Sequence, residues 1–579
     1  MESRDFLFVV ALFLLLAVST ASCEKDNIIY ANVADTEDDI SNVSFDYTVS
    51  VTFSEGTTAT VSGTDSDFSV SISANNVTIE YGGSANVRYE LSGSTTNGFF
   101  KVYSYHKQAV VLNNVSITNP NGSAINLQGP SSSPSVGRRN YIVLNGSNVL
   151  ADGSSYVGTP SNEDEKAALF AEGPLVFSGD GSLAVNAMGK SGIVSDTYVR
   201  FMSGPTVNVV SSAGNGVKAD DYIIVSGGTI NVETSADMKK GFNSDGYIRI
   251  DGGEVTIKET GGAAYDSEKQ DYSGTAGIKT DGDFTMNGGT LTITNSGTGG
   301  KGISCDGNAY FNGGTVKVTT TGSNYGSSGS GGGPGGGSSN SSNSVSAKGI
   351  KCDGNISFDG STVFVSCNAH EGIESKATIT ISAGQVYSYS ASDDAINSAG
   401  NFTISGGYVC AHAPSNDGLD ANGDFYIQGG VVYAIGSSSP EVAVDANTEG
   451  GHTLYVQGGT IIAIGGLEGG ASLSQSCYSA SSWLQNTWYA LTVGSTTYAF
   501  KTPASGGTPL VVSGSSTPTL LSGVSASGGT AYFDGMMLID ASVSGGSSVS
   551  LSSYSGGGSG GGGGPGGGGP GGGGTPPGH

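Results

Sequence analysis

The stretch from His370 to Asn447 contains one short pattern four times: HEGIES (370–375), DDAINS (393–398), NDGLDANGD (416–424) and EVAVDAN (441–447). The copies follow one another about every two dozen residues. Each copy carries one apolar residue at the same place: Ile373, Ile396, Leu419 and Val444. A repeat of this length is too small to bury its apolar face alone, so the pattern predicts a β-solenoid, an all-β coil of short parallel strands.

Acidic residues of successive copies also fall at equivalent positions. Glu371, Asp394 and Asp417 lie on one side of the apolar residue, with Asp393 beside them; Glu374, Asp420 and Asp445 lie on the other, where the second copy has the amide Asn397. Neighbouring strands lie about 4.8 Å apart, so two like charges in register would repel by roughly 3 kcal/mol at an effective dielectric of 20. Oxygen ligands without His or Cys favour Ca²⁺ over zinc or copper. We therefore expect a Ca²⁺ site; the alternative is neutralisation by diffuse counterions or by Lys348 and Lys351.

The repeat extends over residues 192–466 and predicts regular strands there. It is interrupted by a Gly/Ser-rich insert at about 322–344, predicted to be disordered, and by the loop GGAAYDSEKQDYS before Gly277. Residues 23–191 alternate apolar and polar residues less regularly, which predicts an N-terminal cap and the first coils. One helix is predicted from Asn162 to about Phe170. Residues 467–545 predict a C-terminal β segment, and 546–579 a disordered Gly/Pro-rich tail.

The first residues, 1–22, contain the apolar run FLFVVALFLLLAV followed by STAS, which predicts a signal peptide and hence a secreted protein. Cys23 leaves a lipid-anchored surface protein as the alternative. A net charge of −27 argues against nucleic acid as a partner. Cys305 and Cys352 occupy the same position in neighbouring repeats, and we expect a stacked pair of small inward residues rather than a disulfide. We expect a monomer that does not span a membrane.

Several segments carry a resemblance: VTFSEGTTATVSG (51–63), AVVLNNVSITNPNGSAINL (109–127), DEKAALFAEGPLVFSGDGSLAVNA (164–187) and GVKADDYIIVSGGTINV (216–232), together with NDGLDANGD. They resemble the secreted carbohydrate-binding β-helix family first recognised in cellulolytic clostridia. The resemblance covers residues 51–463. It implies a right-handed parallel β-helix that binds plant polysaccharides, including acidic ones, and holds Ca²⁺. It also implies a fold similar to the pectate lyases of polysaccharide lyase family nine, whose calcium acids are matched here by Asp393, Asp394 and Asn397, then Asp417 and Asp420.

An aromatic stripe lies on the same repeats as the acids. Alignment of the corner glycines places Phe364, Tyr387 and Tyr433 at one outward position. Sugar rings stack on such faces, so the stripe is a candidate binding platform. The alternative is that the segment around Trp483 and Trp488 covers it, because large exposed apolar patches are unusual.

Lysines form another set in register on the earlier repeats. Lys218, Lys279 and Lys351 share one position, and Lys240, Lys301 and Lys348 share another. Aspartates recur nearby, mostly before turn-forming residues. We interpret them as turn residues loosely paired with the lysines, with a further ion site as the alternative.

Catalysis of the lyase type needs a base beside a carboxylate that calcium neutralises. The lyases that this sequence resembles use a lysine beyond their calcium acids. Here no lysine occurs between Lys376 and Lys501, which leaves Lys351 and Lys376 as base candidates if the protein is a lyase. A glycosidase pair among the many carboxylates stays open. We therefore expect a protein that binds polysaccharide without cleaving it; the alternatives are a calcium-dependent pectate-type lyase and a structural or adhesive surface protein.

Overall fold

The computed structural model describes residues 36–129, 138–161, 163–326 and 344–556. The predicted signal peptide, Cys23 and most of the predicted insert lie outside them. The chain divides into two compact units, Met1–Ser44 and Phe45–His579. The described part of the first contains one short 3-10 helix, Ile40–Asn42, whose N-cap Asp39 accepts a hydrogen bond from the backbone N–H of Ser41. Within the described ranges, no helix has the length and apolar character needed to cross a membrane.

The described residues of Phe45–His579 are all-β, and most of their strands pair in parallel. The chain visits three ladders of strands in turn. The sheet of 14 described strands is called the first ladder. Its first two strands pair antiparallel, and the other described strands pair in parallel. Its strands are Phe68–Ser73, Asn75–Tyr81, Gly98–Tyr103, Ile125–Gln128, Ala167–Ala171, Ser191–Ser195, Val217–Ala219, Lys240–Ser244, Ala276–Thr280, Lys301–Cys305, Lys348–Cys352, Ile373–Ser375, Ile396–Ser398 and Leu419–Ala421.

The second and third ladders belong to one larger sheet, because the long strands Gln108–Asn119, Ile356–Cys367 and Ile379–Ser390 contribute to both. The second ladder also contains Tyr47–Phe53, Val87–Thr95, Asn140–Asn145, Leu175–Ser178, Tyr198–Phe201, Tyr222–Val225, Tyr247–Ile250, Phe284–Met286, Ala309–Phe311, Phe402–Ile404, Phe425–Ile427, Leu454–Val456 and Ser472–Leu473. The third also contains Ser147–Asp152, Ser182–Ala187, Thr206–Ser211, Thr229–Thr234, Glu254–Glu259, Thr290–Asn295, Thr315–Thr320, Tyr408–His412, Val431–Ile435 and Thr460–Ile464. The short strand Thr60–Ser62 pairs antiparallel with Tyr47–Phe53.

Strand register follows the predicted repeat. In the first ladder one position runs through Ile193, Val217, Phe242, Ile278, Ile303, Ile350, Ile373, Ile396 and Leu419. The sequence alignment of the repeats is therefore confirmed as strand register. The residue before this position is a glycine in the early repeats for a steric reason. A Cβ added at Gly216 would lie 2.2 Å from Val232 Cγ1 and 2.7 Å from the carbonyl oxygen of Gly241.

Side chains alternate along each strand, and the inward ones form the core. Equivalent inward positions stack on one another. The ring centroids of Phe311 and Phe358 lie 4.8 Å apart, and those of Phe402 and Phe425 lie 4.5 Å apart. This is the spacing of adjacent strands in a sheet, so each buried residue packs on its counterpart in the neighbouring repeat.

Antiparallel strands follow the last parallel repeat. Leu510–Ser513 pairs with Thr460–Ile464 and with Cys477–Ala480, which also pairs with Ser552–Tyr554. A separate six-stranded sheet, the C-terminal sheet, contains Trp488–Val493, Thr496–Lys501, Thr519–Ser527, Thr530–Tyr532, Met537–Ile539 and Ser542–Ser548. The predicted disorder of the tail is wrong for residues 546–548 and 552–554, which lie in the paired strands Ser542–Ser548 and Ser552–Tyr554. Tyr554 also donates a hydrogen bond to the Leu467 carbonyl at 3.0 Å.

Two further sequence expectations are corrected by strand pairing. The predicted helix at 162–170 is wrong: Ala167–Ala171 is a buried strand that pairs with Ile125–Gln128 and Ser191–Ser195. Pairing on both sides outweighs the weak local helix preference. Cys305 and Cys352 form a disulfide, because they are register partners whose Cα atoms are 4.7 Å apart. The loop before Gly277 contains a hairpin, Ala264–Asp266 with Asp271–Ser273.

Glu259 is a carboxyl group in the interior, at the end of a third-ladder strand. It is 1% exposed, and it accepts a hydrogen bond from the Thr234 hydroxyl through Oε2. Its other oxygen has no hydrogen-bond partner among the described residues. Burial raises the pKa of Glu259 to about 9. At neutral pH the folded protein therefore holds this group protonated, whereas the unfolded chain ionises it.

The Glu259→Gln variant should be more stable than the wild type at pH 8 and about equally stable at pH 5. Because the folded pKa is raised, stability is fully present below the unfolded value near 4.5 and is lost as pH rises toward about 9. The loss is about 1.4 kcal/mol per pH unit for one proton. Melting temperatures between pH 5 and pH 8 would measure it. The exposed Glu254→Gln is the matched control; a variant that melts in parallel with the wild type at every pH contradicts the prediction.

Candidate functional site

The predicted acid ladder exists as a register on the first ladder. Lys351 pairs with Glu374, Glu374 with Asn397, and Asn397 with Asp420. A bridge between Leu419 and Val444 places Asp445 next in the series. The acids thus lie on neighbouring strands, as the repeat predicted. Their surroundings divide them into two groups.

The earlier acids are neutralised by protein cations. Lys348 Nζ lies 3.0 Å from Glu371 Oε2 and also contacts Glu374, and Lys376 contacts the other Glu374 oxygen. The side chains of Lys348, Glu371 and Glu374 are all nine-tenths buried or more. Charge-assisted hydrogen bonds in such surroundings are strong, and they occupy the oxygens that a metal would need. Glu371 and Glu374 are therefore ion-pair partners, which is the alternative that the sequence left open for Lys348.

His370 joins Glu371 to Asp393. Its Nδ1 contacts Glu371 Oε2 and lies 2.8 Å from Asp393 Oδ2. Ligand atoms of these three residues lie within 4.8 Å of one another. Burial opposes ionisation, but hydrogen bonds to both carboxylates and their charges raise the pKa of His370 to about 9. The imidazolium therefore acts as the counter-charge. The sequence analysis gave His370 no role, although it stands in the motif HEGIES, because only the register shows which acids surround it.

The later acids lack such partners. Asp394, Asp417, Asp420 and Asp445 form no ion pair with any described Lys, Arg or His. Asp394 and Asp417 are buried, and Asp420 and Asp445 are half-buried. Burial raises the pKa of each, and neighbouring carboxylates add to the effect on each. Asn397 Nδ2 donates to Asp394 Oδ2 at 3.0 Å, and the backbone N–H of Asp417 donates to Asp394 Oδ1 at 3.2 Å. We call these five residues, Asp394, Asn397, Asp417, Asp420 and Asp445, the aspartate cluster.

Two more acids face the aspartate cluster and were not predicted. The negative charge of Glu441 raises the pKa of Asp417 and Asp420, and Glu468 shares a hydrogen bond with Asp445. Glu468 comes after residue 466, where the sequence repeat was judged to stop. The bridge between Val444 and Leu467 shows that one more repeat contributes. The donor chemistry of the cluster, hard oxygens without a thiolate or imidazole, fits a hard cation such as Ca²⁺.

The aromatic stripe is a buried seam on the third ladder. Phe364, Tyr387 and Tyr433 share one register, as predicted, and Cys410 and Ile462 lie in the same register. The C-terminal strands cover it: Tyr433 is 0% exposed, and its hydroxyl donates to the Lys501 carbonyl at 2.9 Å. Tyr387 packs against the apolar cluster that Tyr433 forms with residues of the C-terminal strands. The platform hypothesis is therefore wrong for Tyr433, whose ring the C-terminal strands bury, whereas Tyr387 is half-buried against them. Within the covering segment Trp483 Nε1 donates to the Gly507 carbonyl at 2.8 Å. Phe364 stays partly exposed.

Both lysines considered as bases are held in ion pairs. Lys351 Nζ contacts Asp353, its neighbour at the end of the same strand, and Lys376 contacts Glu374. An ammonium group donates hydrogen bonds but has no lone pair with which to accept a proton. Each of the two lysines thus lies beside a carboxylate of its own segment.

A cavity of about 540 Å³ lies at the start of the first ladder, where the sequence indicated only a cap. We call it the tyrosine cavity. Its wall contains aromatic and carboxylate side chains: Phe68, Tyr81, Tyr103 and Tyr105, with Asp67, Glu80, Glu163 and Glu172. The only signal in the sequence was the short run KVYSYH (101–106), whose tyrosines are spaced to point the same way from a strand.

Hydrogen bonds fix the polar groups of the tyrosine cavity. Lys101 Nζ lies 2.7 Å from Glu163 Oε2, and the Tyr103 hydroxyl donates to Glu163 Oε1. Glu172 accepts a hydrogen bond of 2.7 Å from the backbone N–H of Gly129. Tyr105 is 58% exposed and presents its ring to solvent. A volume in the range of small-molecule sites, an aromatic wall and fixed polar groups are the usual parts of a ligand pocket.

The sequence model of the family described as carbohydrate-binding domain-containing protein matches residues 73–270 and 240–395. No curated protein matches the chain. A solved structure described as the polysaccharide lyase-like protein from C. thermocellum, gadolinium derivative, is 21% identical. That alignment covers 45% of this chain and 96% of the other, with a TM-score of 0.36.

Tyr433→Ala should destabilise the protein by about 3 to 5 kcal/mol, because it removes a fully buried aromatic ring at the seam beneath the C-terminal sheet. Tyr310→Ala, at an exposed tyrosine of the second ladder, is the matched control and should cost less than about 1 kcal/mol. Denaturant unfolding would give both values. Equal stability of the two variants would mean that the seam is open in solution.

Proposed function

Because the chain belongs to the family of carbohydrate-binding domain-containing proteins, whose matches together span more than half of it, we propose that it binds polysaccharide without cleaving it. We propose further that it is secreted and holds Ca²⁺. The observation that carries the binding assignment is the tyrosine cavity, which combines an exposed ring with hydrogen-bonded carboxylates. Secretion is supported by the apolar run in residues 1–22.

The fold that we propose in full is a right-handed parallel β-helix. The three ladders alternate along the chain, and each strand pairs with the strand about two dozen residues later. A chain that returns to the same sheet in the same direction after each repeat must coil. Parallel connections of this kind are right-handed in nearly all known cases, which supports the hand.

Calcium is proposed at the aspartate cluster. Asp394, Asp417, Asp420 and Asp445 would supply carboxylate oxygens, and Asn397 its amide oxygen. A divalent cation would neutralise charges that burial and mutual repulsion now disfavour. Glu371, Glu374 and Asp393 are excluded from this set because Lys348, Lys376 and His370 already occupy them.

Sugar contact is proposed at the tyrosine cavity. The ring of Tyr105 offers an apolar face, and carboxylates accept hydrogen bonds from hydroxyl groups. The cavity wall carries four acidic side chains. Among the described residues Lys101 forms an ion pair with one of them, Glu163, and the positive charge of Arg138 acts on a second, Glu172. A neutral glycan such as cellulose therefore suits it better than a uronate polymer, whose carboxylates the wall would repel.

Absence of cleavage is proposed because neither Lys351 nor Lys376 is free to act as a base. The second candidate function is a calcium-dependent lyase, favoured only by the aspartate cluster. A structural or adhesive surface role would require neither glycan affinity nor calcium. Formation of an unsaturated uronate product would separate the lyase from the binder, and glycan affinity would separate the binder from the structural protein.

The double variant Asp417→Asn with Asp420→Asn should lose stabilisation by calcium. A ligand that binds only the folded state stabilises it by about 2.7 kcal/mol at a concentration of 100 times its Kd. In EDTA the double variant should melt at or above the wild-type temperature, since it removes two carboxyl groups whose ionised form burial and neighbouring carboxylates disfavour. In Ca²⁺ it should melt below the wild-type temperature. Asp353→Asn is the matched control on an earlier repeat. A wild-type melting temperature that is the same in Ca²⁺ and EDTA would contradict the metal site.

Tyr105→Ala should weaken cellulose binding about tenfold, the effect of losing about 1 to 1.5 kcal/mol of ring contact. The control Tyr310→Ala removes an exposed tyrosine outside the cavity and should bind as the wild type does. Pull-down on cellulose would measure the affinities, with ultraviolet detection of unsaturated product from polygalacturonate as the cleavage assay. If both variants bind cellulose equally well, the sugar does not bind at the tyrosine cavity. If the wild type forms unsaturated product from polygalacturonate, the protein is a lyase.

A further inference from the structure

A group of lysines surrounds a second cavity, of about 250 Å³, beside the first ladder. Lys240, Lys279 and Lys301 reach it from three consecutive strands, Lys240–Ser244, Ala276–Thr280 and Lys301–Cys305. Lys269 reaches it from the hairpin inserted before Gly277. We call this the lysine pocket. It is notable because the whole chain has a net charge of −27, with only 23 lysines and arginines.

Partners within the protein account for some of these charges but not for all. Lys279 Nζ lies 2.7 Å from Asp281 and 2.8 Å from Asp306. Lys301, in contrast, has no acid or hydrogen-bond partner for its ammonium among the described residues. Lys240 donates to the Met238 carbonyl and lies 3.5 Å from the Ser273 hydroxyl, but no described acid forms an ion pair with it. Residues 327–343, outside the described ranges, contain no Asp or Glu.

Ammonium groups held together in a partly buried place repel one another. Burial comes first among the causes that lower the pKa of Lys240 and of Lys301 to about 8, and neighbouring lysines add to it. The positive charges of Lys348 and Lys351 act on Lys301, where the negative charge of Glu374 opposes them in part, and the positive charge of Lys269 acts on Lys240. An isolated cationic group is costly to desolvate unless an opposite charge accompanies it. The unpaired charges of the pocket therefore call for an anion.

Two aspartates also line the lysine pocket, Asp245 and Asp281, and each is held by a lysine: Asp245 by Lys218 and Asp281 by Lys279. Hydroxyl and amide groups form the rest of the polar wall. Tyr272, Ser273 and Thr275 line the pocket, together with Asn243 and Ser304 from the first ladder. These groups can donate hydrogen bonds to oxygen atoms. A volume of 250 Å³ equals that of about eight water molecules at roughly 30 Å³ each. One oxyanion with the group that carries it would fit, whereas a length of polymer would not.

We propose that the lysine pocket is an oxyanion-binding site, in which Lys240 and Lys301 hold a carboxylate, sulfate or phosphate group. Lysine is suited to this role because its three N–H donors carry a compact charge. The oxyanion comes either as a free ion or as an acidic substituent on a glycan. This site is separate from the aspartate cluster and from the tyrosine cavity, and the inference depends on neither.

Sodium sulfate, sodium phosphate and trigalacturonate are the probes, each compared with sodium chloride at equal ionic strength and pH 7. EDTA is present throughout, so that no calcium bridges trigalacturonate to the aspartate cluster. Calorimetric titration and melting temperature of the full-length wild type, Lys301→Met and Lys240→Met are the measurements. Methionine keeps an apolar stem of similar length and removes the charge. Lys258→Met, at an exposed lysine of the third ladder, is the matched control.

At least one probe should bind the wild type and raise its melting temperature, and Lys301→Met should weaken that binding tenfold or more. In chloride alone Lys301→Met should melt no lower than the wild type, because it removes an uncompensated charge; loss of binding is then not a folding defect. Binding of sulfate or phosphate supports a free ion as the source, and binding of trigalacturonate alone supports a glycan substituent. If no probe binds, or if Lys301→Met and Lys258→Met bind equally well, the proposal is wrong.

Discussion

Parallel pairing in register is the constraint on which the rest of this structure depends. It places each residue about one strand spacing, roughly 4.8 Å, from its counterpart in the next repeat. Apolar side chains benefit, as in the stack of Phe402 on Phe425. Charged side chains do not, because a charge is then stacked on its like. The positions of Lys, Asp and Glu on the first ladder can be understood as solutions to this problem.

Three solutions occur along the same sheet. Where a repeat with lysines on the first ladder is followed by a repeat with acids, opposite charges pair across neighbouring strands, as Lys348 does with Glu371. Where the acids Glu371 and Asp393 approach each other, His370 lies between them and carries the compensating charge. In the aspartate cluster the carboxylates, and in the lysine pocket Lys240 and Lys301, form no ion pair with any residue in the described ranges. These two places have opposite sign and lie on different repeats, so they suit ligands of opposite charge.

The end of the ladders poses a different problem. An unpaired edge strand exposes backbone groups that could pair with another chain. Here Leu510–Ser513 reverses direction and pairs with Thr460–Ile464, so the third ladder does not end in a free edge. The strands that follow cover the seam of Tyr387 and Tyr433. Edge protection thus explains why aromatic residues become frequent at an outward position of the last repeats: they are a packing surface for the C-terminal sheet.

Much of the fold could be predicted from the sequence alone, because a periodic pattern indicates which residues of successive repeats lie on neighbouring strands. The repeat indicated the parallel strands, their register and the order of Glu374, Asn397 and Asp420. Only the tertiary structure decided what each residue faces. In the structure Ala167–Ala171 is a strand and not a helix, and Cys305 forms a disulfide with Cys352. Tyr433 is buried, His370 contacts the acids as a counter-charge, and Glu468 is a further acid beside Asp445. The physical reason is that register is set by local alternation and spacing, whereas exposure and counter-charge depend on segments distant in sequence.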